Sequence, residues 1–283
     1  MTVYDELRQH YHSQPHEVSI ETQALCNARC TFCPYPTLER KGTKMPDELL
    51  EKIMDEFASW SLPFYFSPFK VNEPFLDKRL IPLCQEFNRR VPEGVLRLFS
   101  NGSALTDKQI EEVAKLKRVA HLWISLNEID PEAYETTMGL DFEITSRRLD
   151  QLHKACVGWR FHHPVVVSRV GGTEKERTDF ILYVHDRWPK FKATIIKRDA
   201  WIDFTNPDNL EVPDMPCVRW WELNVMATGV VALCCMSSDE TYSVGDLNKQ
   251  SMLEVYNSPG MKARRENLQT RKLAGEPCAR CSY

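Results

Sequence analysis

The chain has 283 residues, of which 42% are hydrophobic and 27% are charged, and its formal net charge is −4. This composition is that of a folded globular protein, which excludes wholesale disorder, and the mild acidity argues against nucleic acid as a general partner. The best apolar stretch, residues 225–236, is too short for a membrane span, and the first residues lack a signal-peptide pattern, so we expect a cytoplasmic protein without a membrane partner.

From residue 18 onward, strand-like and helix-like segments alternate. The pattern predicts strands at residues 18–25, 64–69, 95–100, 121–126, 165–170 and 193–197, and helices at 46–57, 77–90, 106–116, 142–156 and 174–188. Such βα repeats form parallel sheets covered by helices. We therefore predict an α/β fold, a partial (β/α)6 TIM-like barrel, in which the chemistry gathers at the carboxyl ends of the strands.

The sequence pattern changes near residue 205, where the alternation of predicted strands and helices stops and prolines accumulate. We predict a barrel domain over residues 1–205 and a small C-terminal domain over residues 206–283. The second domain is expected to contain a β-hairpin between residues 223 and 234, followed by a helix at about residues 250–270.

Three of the ten cysteines fall on the loop that follows the first predicted strand: Cys26, Cys30 and Cys33. In a chain expected to be cytoplasmic, cysteines do not indicate a disulfide framework. Clustered thiolates are soft ligands that select zinc or an iron–sulfur cluster. No fourth Cys or His stands nearby to close a zinc site, so the spacing favours a [4Fe–4S] cluster with one iron left open.

The pattern Cys-x3-Cys-x2-Cys, with Phe32 before the third cysteine, resembles the signature of the radical S-adenosylmethionine (SAM) enzymes. The resemblance implies that the three cysteines hold the cluster, that SAM chelates the open iron, and that its reductive cleavage gives a 5′-deoxyadenosyl radical that abstracts hydrogen from a substrate. It also implies a flavodoxin- or ferredoxin-type electron donor. Phe32 is then expected near the adenine, although a core Phe at a strand end remains an alternative.

Two later strand ends are similar to segments of this family. Residues 70–74, Lys-Val-Asn-Glu-Pro, are similar in place to a Gly-Gly-Glu-Pro segment, which implies that Asn72 and Glu73 contact SAM. Asn tolerates the left-handed backbone of the glycine that it replaces. The alternative for Glu73 is a solvent-facing loop acid. The Asn-Gly turn at residues 100–102 is expected to be structural.

Ser125 and Asn127 end the fourth predicted strand, where relatives often place a Ser that contacts SAM. Many relatives follow it with an Arg that pairs with the SAM carboxylate, but the aligned place here holds Met138. Because a buried carboxylate needs a counter-charge, Arg169 at the end of the fifth strand is the candidate replacement. A surface Arg is the alternative.

Five cysteines lie near the C-terminus, and four thiolates among them suit one metal site: Cys217, one of Cys234 and Cys235, Cys278, and Cys281. Structural zinc is compatible with such a set. The spacing Gly-x4-Cys from Gly229 to Cys234, followed by Gly245-Asp-Leu and Cys-x2-Cys, resembles the SPASM/twitch extension of radical SAM enzymes. The resemblance implies the shortened twitch form, with one auxiliary [4Fe–4S] cluster.

Cys235 is then either a hydrogen-atom donor to a substrate radical or the true ligand in place of Cys234. The sequence as a whole predicts a radical SAM enzyme with two [4Fe–4S] clusters that oxidises an alcohol of a small aminocyclitol or sugar-like substrate, the auxiliary cluster accepting an electron. The alternatives are a radical epimerase, a peptide maturase, a zinc-stabilised binding module and an electron-transfer protein. Only 25 residues precede Cys26, too few for the leader-peptide-binding domain of many peptide maturases.

Overall fold

The computed structural model describes residues 2–198, 201, 211–267 and 270–283. In these residues, nine strands form one sheet in the order β6-β5-β4-β3-β2-β1-β7-β8-β9. The strands are β1 (Glu17–Ile20), β2 (Phe64–Ser67), β3 (Gly94–Ser100), β4 (Val119–Ser125), β5 (Val165–Val170), β6 (Lys192–Ile196), β7 (Glu222–Val225), β8 (Val230–Ala232) and β9 (Ser243–Asp246).

Strands β1 to β6 pair in parallel and in sequence order. Helices connect them, as parallel pairing requires. The helices of the described ranges are α1 (Val3–His10), α2 (Asp47–Ala58), α3 (Leu80–Arg90), α4 (Asp107–Val113), α5 (Pro131–Met138), α6 (Phe142–Val157), α7 (Glu174–Arg187), α8 (Met252–Tyr256) and α9 (Pro259–Glu266). This arrangement confirms the predicted α/β fold with a parallel, barrel-like core.

Local sequence explains these elements. Along β3, buried residues alternate with half-buried ones, because one face packs under the helices and the other faces the inside of the barrel. Helix α2 begins with the acids Asp47 and Glu48, which favour a helix N-terminus, and its apolar residues form one buried face. That face packs in the main core, where Phe57 contacts Phe64 and Phe66 of β2.

The C-terminal part of the chain continues the barrel sheet. Strand β7 pairs in parallel with β1, with Glu222 opposite Glu17, and β8 and β9 then add antiparallel strands. The predicted hairpin is present as β7 and β8. The domain boundary predicted near residue 205 lies outside the described residues. No helix in the described ranges combines the length and apolarity needed to cross a membrane.

Several predicted elements differ in extent. The first strand ends at Ile20 rather than at residue 25, and the single helix predicted at 250–270 is divided into α8 and α9, because Pro259 starts a new helix at its first position. Helices α1 and α5 were not predicted. Helix α5 is bounded by an Asp130 cap and by Gly139, whose left-handed backbone (φ 65°) ends it.

Candidate functional site

The first cysteine group, Cys26, Cys30 and Cys33, lies on the loop that leaves the carboxyl end of β1. All three thiols are free of disulfides. Burial raises the pKa of Cys26 to about 12 and that of Cys33 to about 11, and it also raises the pKa of Cys30. The thiols act on one another electrostatically, which places them around a common region.

Helix α5 holds this loop in place. The last carbonyls of a helix have no partner within it, and here the Thr137 and Met138 carbonyls accept hydrogen bonds from the Thr31 and Arg29 amides at 2.9 and 2.8 Å. The Cys30 Sγ also lies 3.5 Å from the Met138 Sδ. Gly139 permits this contact, because a Cβ there would stand 3.0 Å from the Arg29 Cβ. The loop is thus fixed by backbone groups of another element.

Glu73 is buried beside the same loop. Its carboxylate accepts hydrogen bonds from the Asn101 amide at 2.6 Å, the Ser100 hydroxyl at 2.9 Å and the Phe75 amide at 3.1 Å. Burial raises the pKa of Glu73 to about 7, although these hydrogen bonds lower it, and the carboxylate in turn acts on Cys26. Glu73 is therefore a buried acid anchored to the end of β3, not a solvent-facing loop residue.

Asn101 connects the end of β3 to the cysteine loop. The side-chain Nδ2 of Asn101 donates a hydrogen bond to the side-chain Oδ1 of Asn27 at 2.8 Å. The side-chain Nδ2 of Asn27 in turn donates to the Ser103 hydroxyl at 2.8 Å. Asn101 also donates a side-chain hydrogen bond toward Cys26, which lowers the pKa of that thiol against the larger effect of burial. The turn that was expected to be structural therefore contacts the first cysteine group directly.

The second cysteine group, Cys217, Cys234, Cys278 and Cys281, assembles at the opposite end of the sheet. Cys217 precedes β7 and Cys234 follows the antiparallel β8, so both lie where the parallel strands begin. Cys278 packs in an apolar cluster with Leu233, and Cys281 acts electrostatically on Cys217. Three distant segments of the chain thus meet at this end.

A shared hydrogen bond distinguishes Cys234 from its neighbour. Cys26 accepts a hydrogen bond from the Ala28 N–H at 3.4 Å, and the backbone N–H two positions further on likewise lowers the pKa of Cys33, Cys217 and Cys234. Such N–H···S bonds stabilise a thiolate. Cys235 is instead governed by side-chain charges: burial raises its pKa to about 11, against the lowering effects of Arg219 and Lys70.

Buried cations surround the second group. Lys70, at the end of β2, donates its ammonium to the Ser237 carbonyl at 2.5 Å, and its charged neighbours include Cys235 and Cys234. Burial lowers the pKa of Lys70, whereas Glu21 and these two cysteines raise it. The positive charge of Arg271 lowers the pKa of Cys217, against the larger effect of burial. The second group therefore has buried cations close to its thiols, while Glu17 and Glu222 act on the neighbouring Cys235.

The barrel lumen, the space faced by alternate residues of the parallel strands, separates the two groups. Polar and aromatic side chains line it. Arg97 of β3 pairs with Glu17 at 2.5 Å, and the indole N–H of Trp123 donates to the Ser168 hydroxyl at 2.9 Å. A cavity of about 320 Å³ opens beside the second group, and the charged and phenolic residues that line it are Glu6, Tyr11, His16, Glu17, Arg97, Arg219, Glu222 and Tyr283.

Two family models match the chain. The model of the radical SAM superfamily matches residues 20–182, which is more than half of the sequence and runs from the last residue of β1 through most of α7. The chain belongs to the radical SAM superfamily. A model described as an iron–sulfur cluster-binding domain, SPASM, matches residues 217–282 and covers the second cysteine group. This radical SAM enzyme therefore carries a SPASM-type C-terminal region, as its sequence predicts.

One curated relative is the S-adenosyl-L-methionine-dependent 2-deoxy-scyllo-inosamine dehydrogenase of Niallia circulans, with 26% identity over 100 residues. The aligned part spans 35% of this chain and only 40% of that protein. Among solved structures, BtrN in complex with AdoMet and 2-DOIA has a TM-score of 0.64 at 14% identity, and the match covers 95% of this chain and 93% of BtrN.

Two peptide-bound structures share the fold as well. Streptococcus suis SuiB bound to precursor peptide SuiA has a TM-score of 0.65 at 12% identity, and the match covers 98% of this chain and 72% of SuiB. The anSMEcpe structure with bound AdoMet and Cp18Cys peptide has a TM-score of 0.57 at 16% identity, over 94% of this chain and 85% of the other. At such low identities, these likenesses describe the fold alone.

The thiols of this radical SAM enzyme fit iron–sulfur clusters by their chemistry. All seven are free of disulfides, and backbone N–H groups lower the pKa of four of them. Among the described residues, no three His, Cys, Asp or Glu side chains converge as the ligands of one metal ion. The cysteines of a [4Fe–4S] cluster each bind a different iron, so they do not share one coordination point.

The predicted SAM contacts lie in different settings. Asn127 is buried and has a left-handed backbone (φ 67°), and its side chain joins the Val170 amide to Met138. Arg169 already pairs with Glu128 and donates to the Asn127 carbonyl at 2.5 Å. Its Nε is a buried atom without a partner in the described residues. Most of the hydrogen-bonding groups of Arg169 are thus already used by other partners, and its contact with SAM stays a prediction.

The remaining predicted contacts are on the carboxyl side of the barrel. Phe32 is partly buried and packs on the main core together with Cys30. Ser125 is half-buried on β4, opposite Ser168 of β5. Asn72 is buried, and its side-chain oxygen accepts a hydrogen bond from the Lys70 backbone N–H at 2.9 Å. Its side-chain nitrogen has no partner in the described residues.

Sequence reasoning missed the functional placement of three residues: Lys70, Asn101 and Met138. Asn101 stands directly after β3 and Lys70 stands three residues after the end of β2, so their position beyond the carboxyl ends of barrel strands was a usable signal. In the sequence, Met138 was notable only because many relatives have an Arg at the aligned position. Its contact with Cys30 depends on how α5 packs against the cysteine loop, and no local pattern encodes that packing.

Proposed function

We propose that this radical SAM enzyme oxidises a hydroxyl group of a small polar molecule, of the aminocyclitol or sugar-like class, to a ketone. The observation that carries the proposal is the polar lumen between two groups of cysteines, one at each end of the barrel strands. Oxidation of an alcohol removes two electrons, and a second redox centre facing the same lumen suits the removal of the second one.

The first cysteine group would hold one [4Fe–4S] cluster with SAM, and the second group would hold another. When bound, these groups supply one-electron chemistry, namely hydrogen-atom abstraction at the first site and electron acceptance at the second. A flavodoxin- or ferredoxin-type protein is the proposed electron donor. Backbone N–H bonds favour Cys234 over Cys235 as the fourth ligand of the second site.

The chain's own lumen residues would bind and orient the substrate. Asn224 of β7 is fully buried, and neither polar atom of its side chain has a partner in the described residues. It lies opposite Ser19 of β1. It is two positions from Glu222, so it shares the face of Glu222. Unpartnered amide groups in a buried place are costly and are satisfied by a hydroxyl-bearing ligand.

The name of the curated relative supports the same class of reaction. That protein is an inosamine dehydrogenase, and it is 26% identical to this chain over 100 residues. Aromatic side chains in the lumen, among them Phe99 and Trp123, would supply flat apolar walls for a ring-shaped substrate.

The test is turnover with a panel of candidate substrates. The anaerobically reconstituted enzyme, reduced and supplied with SAM, is incubated with ring-deuterated 2-deoxy-scyllo-inosamine, related aminocyclitols, sugars and short peptides. We expect deuterium in 5′-deoxyadenosine and a ketone product with an aminocyclitol or sugar. Deuterium transfer from peptides alone would refute the proposed substrate class. Samples without substrate measure uncoupled SAM cleavage.

Epimerisation is the second candidate, and the position of Cys235 favours it. The residue is half-buried, and its charged neighbours include Glu17 and Glu222 of the lumen face, so its thiol is a candidate to return a hydrogen atom to a substrate radical. In that reaction, the product would be an isomer of the substrate rather than a ketone. If the enzyme is an epimerase, its Cys235→Ala variant would form oxidised or trapped products in place of the isomer. If it is a dehydrogenase, the same variant would continue to form the ketone.

A further inference from the structure

Opposite charges surround the two cysteine groups. The charged side chains that act on the first group are acids, Glu73 on Cys26 and Glu21 on Cys33. Glu21 is compensated by Arg40, which pairs with both of its oxygens at 2.6 and 3.1 Å. Glu73 takes part in none of the ion pairs found among the described residues, and only neutral hydrogen-bond donors hold it.

At the second group, the nearest charges include three cations. Arg219 forms an ion pair with Glu222 at 2.7 Å, whereas Arg271 and Lys70 each contact a main-chain oxygen, that of Tyr283 and that of Ser237. Lys70 is buried and takes part in none of the ion pairs of the described residues, although the carboxylate of Glu21, itself paired with Arg40, acts on it. Lys70 is also the cation that acts on Cys234.

Lys70 is also tied to the chain that carries the second group. Its ammonium donates to the Ser237 carbonyl, and the Ser237 amide donates to the Cys234 carbonyl at 3.3 Å. The ammonium is thus held beside the strap of residues 234–238. A buried charge is costly unless an opposite charge is near. Glu21 is one such charge, but Arg40 already compensates it, and thiolates that bind a cluster at Cys217, Cys234, Cys278 and Cys281 would supply further opposite charge.

The net charge around a cluster sets its reduction potential, together with its hydrogen bonds and exposure. A buried cation favours the reduced cluster, which carries one more negative charge, and a buried anion disfavours it. We propose that charge placement sets the two clusters of this chain at different potentials, and that Lys70 is the positioning residue that holds the auxiliary cluster at the higher one. The inference rests on the proposed function, because it assumes a cluster at each site.

This arrangement would give electron transfer a direction. The cluster of the first group, beside Glu73, would be the stronger reductant, as the cleavage of SAM demands. The cluster of the second group, beside Lys70, would be the better acceptor of the electron left on an oxidised substrate. Substrate identity does not enter this argument, so the potentials can be tested without knowing the substrate.

The test measures the potential of the auxiliary cluster alone. In the full chain with Cys26, Cys30 and Cys33 replaced by Ala, the cluster is titrated anaerobically with dithionite and mediators, and its reduced form is followed by electron paramagnetic resonance. We expect Lys70→Met to lower the equilibrium constant for one-electron reduction at least tenfold, a shift of 59 mV or more to lower potential. Lys70→Arg should change it less than threefold.

Lys78→Met is the matched control, since this Lys is exposed in the loop that follows the same strand, and we expect no change in potential. Lys70→Gln provides a second charge-removing variant if Lys70→Met does not fold, as judged by its circular dichroism and thermal unfolding. A potential unchanged by both Lys70 substitutions, or equally shifted by Lys78→Met, would overturn the inference. A background chain that binds no cluster at all would also overturn it.

The reverse change tests the other half of the comparison. In the chain with Cys217 and Cys278 replaced by Ala, Glu73→Gln should raise the equilibrium constant for reduction of the first cluster about threefold to tenfold, by removing the charge beside Cys26. An unchanged potential there contradicts the proposed role of Glu73. If the potentials behave as expected but no alcohol is oxidised, the proposed substrate class fails while this inference stands.

Discussion

The two cysteine groups are built in different ways. The first lies on eight consecutive residues, from Cys26 to Cys33, and its loop is fixed by carbonyls of α5 and by an amide network with Asn101. The second is assembled from three segments: the pairing of β7 with β8 brings Cys217 and Cys234 to one end of the hairpin, and Cys278 packs against Leu233. The pairing of β7 with β1 then joins this group to the barrel sheet. A site on one loop keeps its spacing when the fold loosens, whereas a site assembled by tertiary pairing depends on the whole sheet.

The largest expected effect separates the two groups by function. Cys30→Ala should reduce SAM cleavage by at least about a thousandfold, because no other group supplies the electron. Cys278→Ala should retain SAM cleavage within about tenfold and abolish ketone formation, since only the electron acceptor is lost. Liquid chromatography of 5′-deoxyadenosine and of the ketone measures both, with Cys84→Ala as a control outside both groups. Equal loss of SAM cleavage in both variants would contradict the division of roles.

The second experiment sharpens the composition of the assembled group. The wild-type chain should bind about eight iron atoms after anaerobic reconstitution, and Cys234→Ala should lose about half of them, because the auxiliary cluster loses a ligand. Cys235→Ala should retain the full complement. Iron and sulfide assays measure the difference between these adjacent cysteines. The opposite result would assign the ligand to Cys235 and remove it as a hydrogen-atom donor.

A glycine pair tests how tightly α5 holds the first group. Gly139 and Gly42 both have left-handed backbones, with φ of 65° and 82°, but only at Gly139 would a Cβ approach Arg29. Gly42→Ala should cost about 1 kcal/mol from backbone strain. Gly139→Ala should cost about 2 to 3 kcal/mol, because it also displaces the cysteine loop. Denaturant unfolding of the cluster-free chain measures both; equal costs would show that the contact with Arg29 is unimportant.

The last prediction concerns the pH dependence of stability, which changes gradually with pH. Burial raises the pKa of Glu73 to about 7, so between about pH 4.5 and 7 the folded chain binds more protons than the unfolded one. The free energy of unfolding should therefore fall as pH rises through this window, by up to about 1.4 kcal/mol per unit from this residue.

Glu73→Gln should remove that part of the slope in the cluster-free chain, whatever its effect on absolute stability. Unfolding by urea at pH 5, 6, 7 and 8 measures the slope, and Glu111→Gln on the exposed side of α4 serves as the control. A slope that Glu73→Gln leaves unaltered would show that the carboxyl group titrates normally.

The sequence was sufficient for most strands and helices of the barrel and for placing the first cysteines on a loop after β1. Periodicity located β3, β5 and α7 within a residue or two, because each carries a regular buried face. Cysteine spacing located the first group on the loop after β1. These features are local in sequence, and local patterns encode them.

Features that depend on tertiary contact could not be read in the same way. The left-handed backbone was expected at Asn72, by analogy with a glycine, but it occurs at Asn127, where the chain turns between β4 and β5 contacts. The parallel pairing of β7 with β1 joins residues about two hundred positions apart, and both strands are short. The direction in which Lys70 extends likewise follows from the packing of its surroundings.

The pairing of β7 with β1 also protects the protein from self-association. Strand β1 has β2 on one side, and β7 supplies hydrogen-bond partners on the other. A chain that lost its last three strands by proteolysis or premature termination would present β1 as an open edge, and open edges recruit strands from other molecules. The C-terminal region would then act as a solubility element of the barrel, and its removal should cause aggregation even before any loss of metal.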